Sequence, residues 1–127
     1  MKVNLKQAGK ALVSLEKVIR KNGTDIVRDS VIKRFEYSFD LAWKTLKSYL
    51  LENEGIDCAS PKSGFREALR VGVMNEKETQ EALKMTNDRN LTVHTYNESL
   101  AVHMNARVKT RYYLLLKNLV SRIAERS

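Results

Sequence analysis

An arginine, a histidine and a tyrosine lie close together in a chain that has only two histidines: Arg89, His94 and Tyr96. A histidine titrates near neutral pH and can exchange a proton with a ribose hydroxyl. An arginine offers a permanent, forked charge to a phosphate whose negative charge grows in the transition state. These two groups suffice to cleave RNA without a metal, because the 2′-hydroxyl of RNA can attack the adjacent phosphate.

The spacing of the arginine and the histidine limits how they could cooperate. On a continuous helix, Arg89 and His94 would lie about 140° apart, so they would face one pocket only if the helix ended between them. The segment 90–93 contains mostly mediocre helix formers, and Asn97 can begin a new helix, which favours such an end. Arg89 would then lie at a helix end and His94 in the turn that follows.

Two other interpretations of these residues stay open at this point. The same side chains could bind the phosphates of a nucleotide without any catalysis. Alternatively, they could be structural: His94 would bond to a carbonyl group, Arg89 would pair with Asp88 or Glu98, and Tyr96 would pack. The spacing alone is a weak signal and does not decide among the three.

The bulk composition describes an ordinary globular domain. The chain has 127 residues, of which 43% are hydrophobic and 30% charged, so we expect a single domain over residues 1–127. Cys58 is the only cysteine, which excludes an internal disulfide and fits a reducing cytoplasm. The amino terminus lacks an apolar signal core, and no apolar run approaches the roughly 18 residues of a membrane span. We expect a soluble, cytoplasmic protein without membrane association, metal or cofactor.

The formal net charge of +8 favours polyanionic partners, namely RNA, DNA, a nucleotide or an acidic protein surface. The basic residues are spread over the amino-terminal third and the last thirty residues, so solvated helix faces explain much of the charge.

Apolar residues that recur every three or four positions predict helices with one buried face. The first helix covers roughly residues 4–21 and stops at Asn22 and Gly23, since glycine accepts the left-handed conformation that closes helix ends. The second is capped by Thr24 or Asp25 and runs to about Asn53, a length of roughly 40 Å.

Three more helices follow from their capping residues. A short helix opens at Ser60, with a proline at its first position, and ends before Gly72. Asn75 and Glu78 form a capping-box pattern that starts a fourth helix leading into the arginine–histidine segment. Asn97 caps a fifth helix that reaches the carboxyl terminus.

These elements predict an all-α fold, an up-and-down antiparallel bundle of four long helices plus one short helix. No stretch of the sequence has a pattern that predicts a β-strand. Leu114, Leu116 and Val120 broaden the apolar face of the last helix. They predict a second buried side, and therefore a dimer interface or a partner surface.

Two long stretches resemble the HEPN superfamily. The segment from Arg89 to Glu98 is similar to the signature of its nucleotidyltransferase substrate-binding proteins and of the related HepT toxins: arginine, four variable residues, histidine, one residue, tyrosine. Residues 31–47 resemble the second helix of that family, and Ser60 to Lys62 with Phe65 to Ala68 match it as well. The likeness covers nearly the whole chain in the same order.

The resemblance implies a small helical bundle that forms a homodimer and acts as a metal-independent endoribonuclease toxin. By position, Arg89 would stabilise the phosphate, His94 would act as acid or base, and Asn90 would orient the substrate site. It also implies a partner, a minimal nucleotidyltransferase of the MntA kind, that silences the toxin by attaching AMP to Tyr96. The alternative that stays open is a non-catalytic subunit that binds substrate or nucleotide for such a nucleotidyltransferase.

Overall fold

The computed structural model describes residues 1–21 and 24–127, and within these ranges the chain is almost entirely helical. The elements are α1 (Lys2–Ile19), α2 (Asp25–Glu54), α3 (Pro61–Arg70), α4 (Glu76–His94), α5 (Glu98–Arg107), a π-helical segment (Val108–Tyr112) and α6 (Tyr113–Arg126). Right-handed helical backbone angles at both junctions make α5, the π-helical segment and α6 one continuous rod. Counted over the described residues, four long helices and one short helix are therefore present, which confirms the predicted all-α fold.

Most helix starts are the predicted ones, because each is capped by a side chain. Thr24 accepts a hydrogen bond from the amide of Val27, and Asn97 accepts one from Leu100. Capping boxes at Ser60 and Asn75 open α3 and α4. The left-handed φ of +67° at Gly55 closes α2. Helix α1 begins and ends two residues earlier than predicted, and its expected stop at residues 22 and 23 lies outside the described residues.

Contacts along the helices show an up-and-down arrangement. Asn4 near the start of α1 donates to Ser48 near the end of α2, at 2.7 Å, whereas Arg34 in the first half of α2 donates to the carbonyl of Ser14, at 3.0 Å. These two helices therefore run antiparallel.

The rod formed by α5, the π-helical segment and α6 also packs antiparallel to a neighbouring helix. Arg122 in α6 pairs with Glu78 at the start of α4 (2.6 Å), and Arg107 in α5 pairs with Asp88 near the end of α4 (3.0 Å). The rod and α4 are therefore antiparallel as well. This arrangement places the carboxyl end of α4, with the arginine–histidine segment, beside the first half of α2.

Aromatic side chains fill the core between α2, α3 and the rod. Phe35 stacks on Tyr112 with ring centroids 5.8 Å apart, and Phe39 meets the edge of Phe65 at 6.1 Å. All four rings are almost fully buried, so they stabilise the bundle by the burial of large apolar surfaces.

The broadened apolar face of the last helix has a simpler explanation than the predicted second interface. Leu116 and Val120 are buried within the bundle itself, and only Leu114 is exposed, by 52%. The prediction that these three residues mark a dimer or partner surface was therefore wrong for two of them, because α1 and α2 pack against α6.

No helix in residues 1–21 and 24–127 combines the length and the apolar character that crossing a membrane would require.

Candidate functional site

The arginine–histidine segment lies at the carboxyl end of α4 and does not break where the sequence favoured a break. Helix α4 continues through Leu91 and Thr92 and ends only at His94, with the turn following at residues 95–97. The expectation of a helix end between Arg89 and His94 was wrong, because Thr92 and Arg89 anchor this last turn to α2 through their side chains. On this unbroken helix the two side chains consequently point about 140° apart.

Arg89 is held firmly against α2. Its Nη2 atom pairs with Asp40 Oδ1 at 2.5 Å, its Nη1 atom donates to Asn90 Oδ1 at 3.1 Å, and its guanidinium lies 5.0 Å from the centre of the Phe39 ring. The side chain is only 24% exposed, and its Nε atom is buried without a partner among the described residues. The guanidinium is therefore fixed in place, and the Asp40 carboxylate compensates part of its charge.

The ion pair that Arg89 forms also differs from the pairs suggested by the sequence. Arg89 pairs with Asp40 rather than with Asp88 or Glu98. Asp88 instead accepts hydrogen bonds from Arg107, at 3.0 Å, and from the hydroxyl of Tyr112, at 2.5 Å. Burial and the bond to this carboxylate raise the pKa of Tyr112 well above its ordinary value.

Two further residues of the segment also bond to carboxylates of α2. The hydroxyl of Thr92 lies 2.8 Å from the carbonyl oxygen of Arg89 and 3.1 Å from Glu36, so these two acceptors share its single proton, and the hydroxyl of Tyr96 donates to Asp29. Together with the Arg89 pair, these contacts run in antiparallel order along α2. They position the end of α4 and the turn after it.

The three carboxylates, Asp29, Glu36 and Asp40, form what we call the acidic stripe of α2. Sequence reasoning missed this stripe. The signal was present, because spacings of seven and four residues place all three on one helix face. Charged residues on an exposed helix face are common, however, and only the packing shows that this face meets the arginine–histidine segment.

His94 lies in a different environment from Arg89. As the last residue of α4 it is exposed, and none of the residues that the structure describes forms a hydrogen bond or an ion pair with its side chain. Its imidazole is therefore free to approach a ligand or a second protein chain. Beside it, Leu91 and Val93 expose 48% and 56% of their surfaces.

Tyr96 borders an open recess of about 230 Å³ between the start of α2 and the start of α5. Asp25, Arg28, Asp29 and Glu98 provide the charged side chains of this recess. The hydrogen bond to Asp29, and then partial burial, raise the pKa of Tyr96 to about 12. The phenol is therefore protonated at neutral pH, yet 53% of the residue is exposed and open to a reagent.

Arg89 and His94 each have a chemical capacity of their own, but the chain does not bring them to one point. Arg89 can bind a phosphate oxygen with the donors that Asp40 and Asn90 leave free, and the exposed His94 can move a proton. They face the same phosphodiester only if a second chain contributes one of the two groups. Asn90, predicted to orient the substrate, supports the Arg89 guanidinium.

The sequence matches a family model described as nucleotidyltransferase substrate binding protein like, over residues 3–125. A search of the curated proteins finds no match. Among solved structures, a protein of Thermus thermophilus is 42% identical with a TM-score of 0.86, over 91% of this chain and 98% of that one.

Two more distant structures share the architecture. A tri-AMPylated HEPN toxin of Shewanella oneidensis, solved in complex with MNT antitoxin, is 14% identical with a TM-score of 0.80, over 96% of this chain and 94% of that one. A mutant of the MntA-HpeT toxin–antitoxin is 13% identical with a TM-score of 0.79, over 96% and 95% of the two chains. Because the family match spans nearly the whole sequence, this chain belongs to the nucleotidyltransferase substrate-binding protein family, and its fold is that of the HEPN toxins.

Proposed function

We propose that this protein is the toxin of a toxin–antitoxin pair and acts in the cytoplasm as a metal-independent endoribonuclease. The observation that supports the proposal is the arrangement at the end of α4, where a guanidinium held in place by its neighbours and an exposed imidazole lie at one end of the bundle. Arg89 is fixed by Asp40, Asn90 and Phe39, and His94 is open to a partner.

The active unit in this proposal is a homodimer. In one protomer Arg89 and His94 diverge, so a second copy has to bring its own set to a shared cleft. Leu91 and Val93 next to His94 on α4, and Val102 on α5, are exposed apolar residues. A second copy that buries some of them would gain free energy from pairing at this end.

The reaction requires no group beyond these side chains. His94 accepts the proton of the ribose 2′-hydroxyl, whose oxygen attacks the neighbouring phosphorus, and the bond from phosphorus to the 5′-oxygen breaks. A protonated imidazole, from either copy, returns a proton to that leaving oxygen. Arg89 stabilises the charge that develops on the phosphoryl oxygens.

Regulation would act on Tyr96, two residues after His94. In the proposal, a partner nucleotidyltransferase of the MntA kind transfers AMP to the Tyr96 hydroxyl, which is exposed at the same end of the bundle. Each AMP adds bulk and negative charge where an RNA phosphate has to bind, and would therefore inhibit the nuclease.

A second function has one observation in its favour. The Asp40 carboxylate already compensates the charge of Arg89, and the other two carboxylates of the acidic stripe lie nearby, which disfavours a bound RNA phosphate. A chain that stays monomeric would then act as a non-catalytic subunit that presents a substrate or nucleotide to the nucleotidyltransferase.

Cleavage of a labelled RNA in the presence of a chelator tests the proposal. We expect His94→Ala to lower the cleavage rate by about 100-fold or more, since a lost acid–base group typically costs that much. His103→Ala is the matched control, because His103 is the other histidine, is exposed on α5 and takes no part in the site. Arg89→Ala should also lower the cleavage rate by about 100-fold or more, since it removes the charge that stabilises the phosphoryl oxygens.

Equal cleavage by wild type and His94→Ala would refute the nuclease and favour the substrate-binding subunit. Sedimentation of the wild-type protein gives the second readout. A protein that remains monomeric at the concentrations where it cleaves RNA would contradict the shared active site.

A further inference from the structure

We propose that Asp29 accepts the phenolic proton of Tyr96 when AMP is transferred to that residue, so that the target chain supplies its own general base. This inference rests on the proposed modification of Tyr96. It assigns to the acidic stripe a chemical role that is separate from its part in positioning the end of α4.

The geometry places the proton acceptor in position before any partner binds. The Tyr96 hydroxyl donates directly to Asp29 Oδ1, although the two residues are 67 positions apart in the chain. Asp29 is exposed on the first turns of α2, and Tyr96 lies in the turn between α4 and α5. Both groups line the same open recess, so the hydroxyl and its proton acceptor are accessible from the same side of the bundle.

The chemistry needs such an acceptor. The Tyr96 oxygen attacks the α-phosphorus of ATP, a new P–O bond forms, and the bond between the α-phosphorus and the bridging oxygen breaks to release pyrophosphate. The phenolic proton passes to the Asp29 carboxylate and then to water. Because the pKa of Tyr96 is about 12, only about one molecule in 10⁵ carries a free phenolate at pH 7.

Neighbouring charges distinguish Asp29 from the other carboxylates of the recess. Asp25 forms an ion pair with Arg28, and Glu98 lies 3.9 Å from the same guanidinium. Among the described residues, only Asp29 forms a hydrogen bond with the Tyr96 hydroxyl. Glu98 is therefore a matched control, since it lines the recess and is 82% exposed.

The test measures AMP transfer to the full-length chain by a purified MntA-type nucleotidyltransferase with Mg²⁺ and ATP, followed by intact mass and by fragmentation of the modified peptide. Asp29→Asn keeps the size of the side chain but removes the base, and we expect the initial rate at pH 7 to fall by about 100-fold. Glu98→Gln should stay within about twofold of wild type. Asp29→Glu retains a carboxylate and should recover part of the rate.

The pH profile separates proton transfer from a positioning role. We expect the Asp29→Asn rate to rise by about tenfold per pH unit towards the pKa of the phenol, because hydroxide then has to remove the proton, while the wild-type rate stays nearly level between about pH 6 and 9. A rate lowered equally at every pH would overturn the assignment of Asp29 as proton acceptor. A wild-type rate in Asp29→Asn would also overturn it, and would leave modification of Tyr96 intact. Absence of AMP from Tyr96 in the wild-type protein would refute the modification itself.

Discussion

Replacing Gly64 with alanine should destabilise the protein, although alanine is the better helix former. Gly64 is buried in α3, and a Cβ atom added there would lie 2.2 Å from Cζ3 and 3.0 Å from Cε3 of Trp43 on α2. Ordinary carbon contacts begin at 3.4 Å, so the indole and the new methyl group have to separate by 3.4 − 2.2 = 1.2 Å. Either α3 moves away from α2, or the Trp43 side chain turns out towards water.

The expected magnitude combines two opposing effects. Alanine in place of glycine stabilises a helix by about 1 kcal/mol, whereas overpacking a well-filled site costs about 1–3 kcal/mol. We therefore expect Gly64→Ala to lower the free energy of unfolding by about 1 kcal/mol, or the Tm by about 4 °C. Gly9→Ala is the matched control, since a Cβ at Gly9 in α1 meets no heavy atom within 4 Å. That substitution should stabilise the protein by about 1 kcal/mol.

Urea unfolding followed by fluorescence measures both effects, because Trp43 is the only tryptophan in the chain. In the native state of Gly64→Ala, emission should shift to longer wavelength as the indole becomes more exposed, and it should be unchanged in Gly9→Ala. A Gly64→Ala protein as stable as wild type with unshifted emission would show that α3 does not lie against Trp43 as described.

Two further predictions concern the contacts that hold α4 in place. Tyr112→Phe keeps the buried ring but removes the hydroxyl that donates to Asp88, so the free energy of unfolding should fall by about 2 kcal/mol. Tyr37→Phe is the control, because Tyr37 is exposed, and it should change the free energy of unfolding by less than about 0.5 kcal/mol. Equal effects of the two substitutions would contradict the hydrogen bond between Tyr112 and Asp88. The hydrogen bond from Arg122 lowers the pKa of Glu78 below its ordinary value of 4.5. The ionised carboxylate therefore stabilises the folded protein above pH 4.5, and this stabilisation is lost as the pH falls through the lower pKa of the folded state. Thermal unfolding should show Glu78→Gln less stable than wild type by about 1 kcal/mol at pH 7, with a difference that shrinks as the pH falls below 4.5, whereas a difference that does not change with pH would argue against the ion pair.

The helices and most of their starts could be predicted because their causes are local. The apolar periodicity, the proline after Ser60 and the capping residues Thr24, Asn75 and Asn97 act within one helical turn, and the structure confirms each of these caps. The π-helical segment at Val108–Tyr112 was not predicted. It sets the position of Tyr112 against Phe35 and Asp88, and those contacts are made by distant parts of the chain.

Some features of the candidate site likewise follow from the sequence alone, and others depend on the tertiary structure. Sequence alone determined which side chains are present at the end of α4, and that Arg89 and His94 diverge on an unbroken helix. Only the tertiary structure decided that the helix stays unbroken, and that Arg89 and Tyr96 reach Asp40 and Asp29 across 49 and 67 residues of chain. The physical reason is that capping and periodicity involve neighbours in sequence, whereas the partner of a long polar side chain depends on how two helices pack.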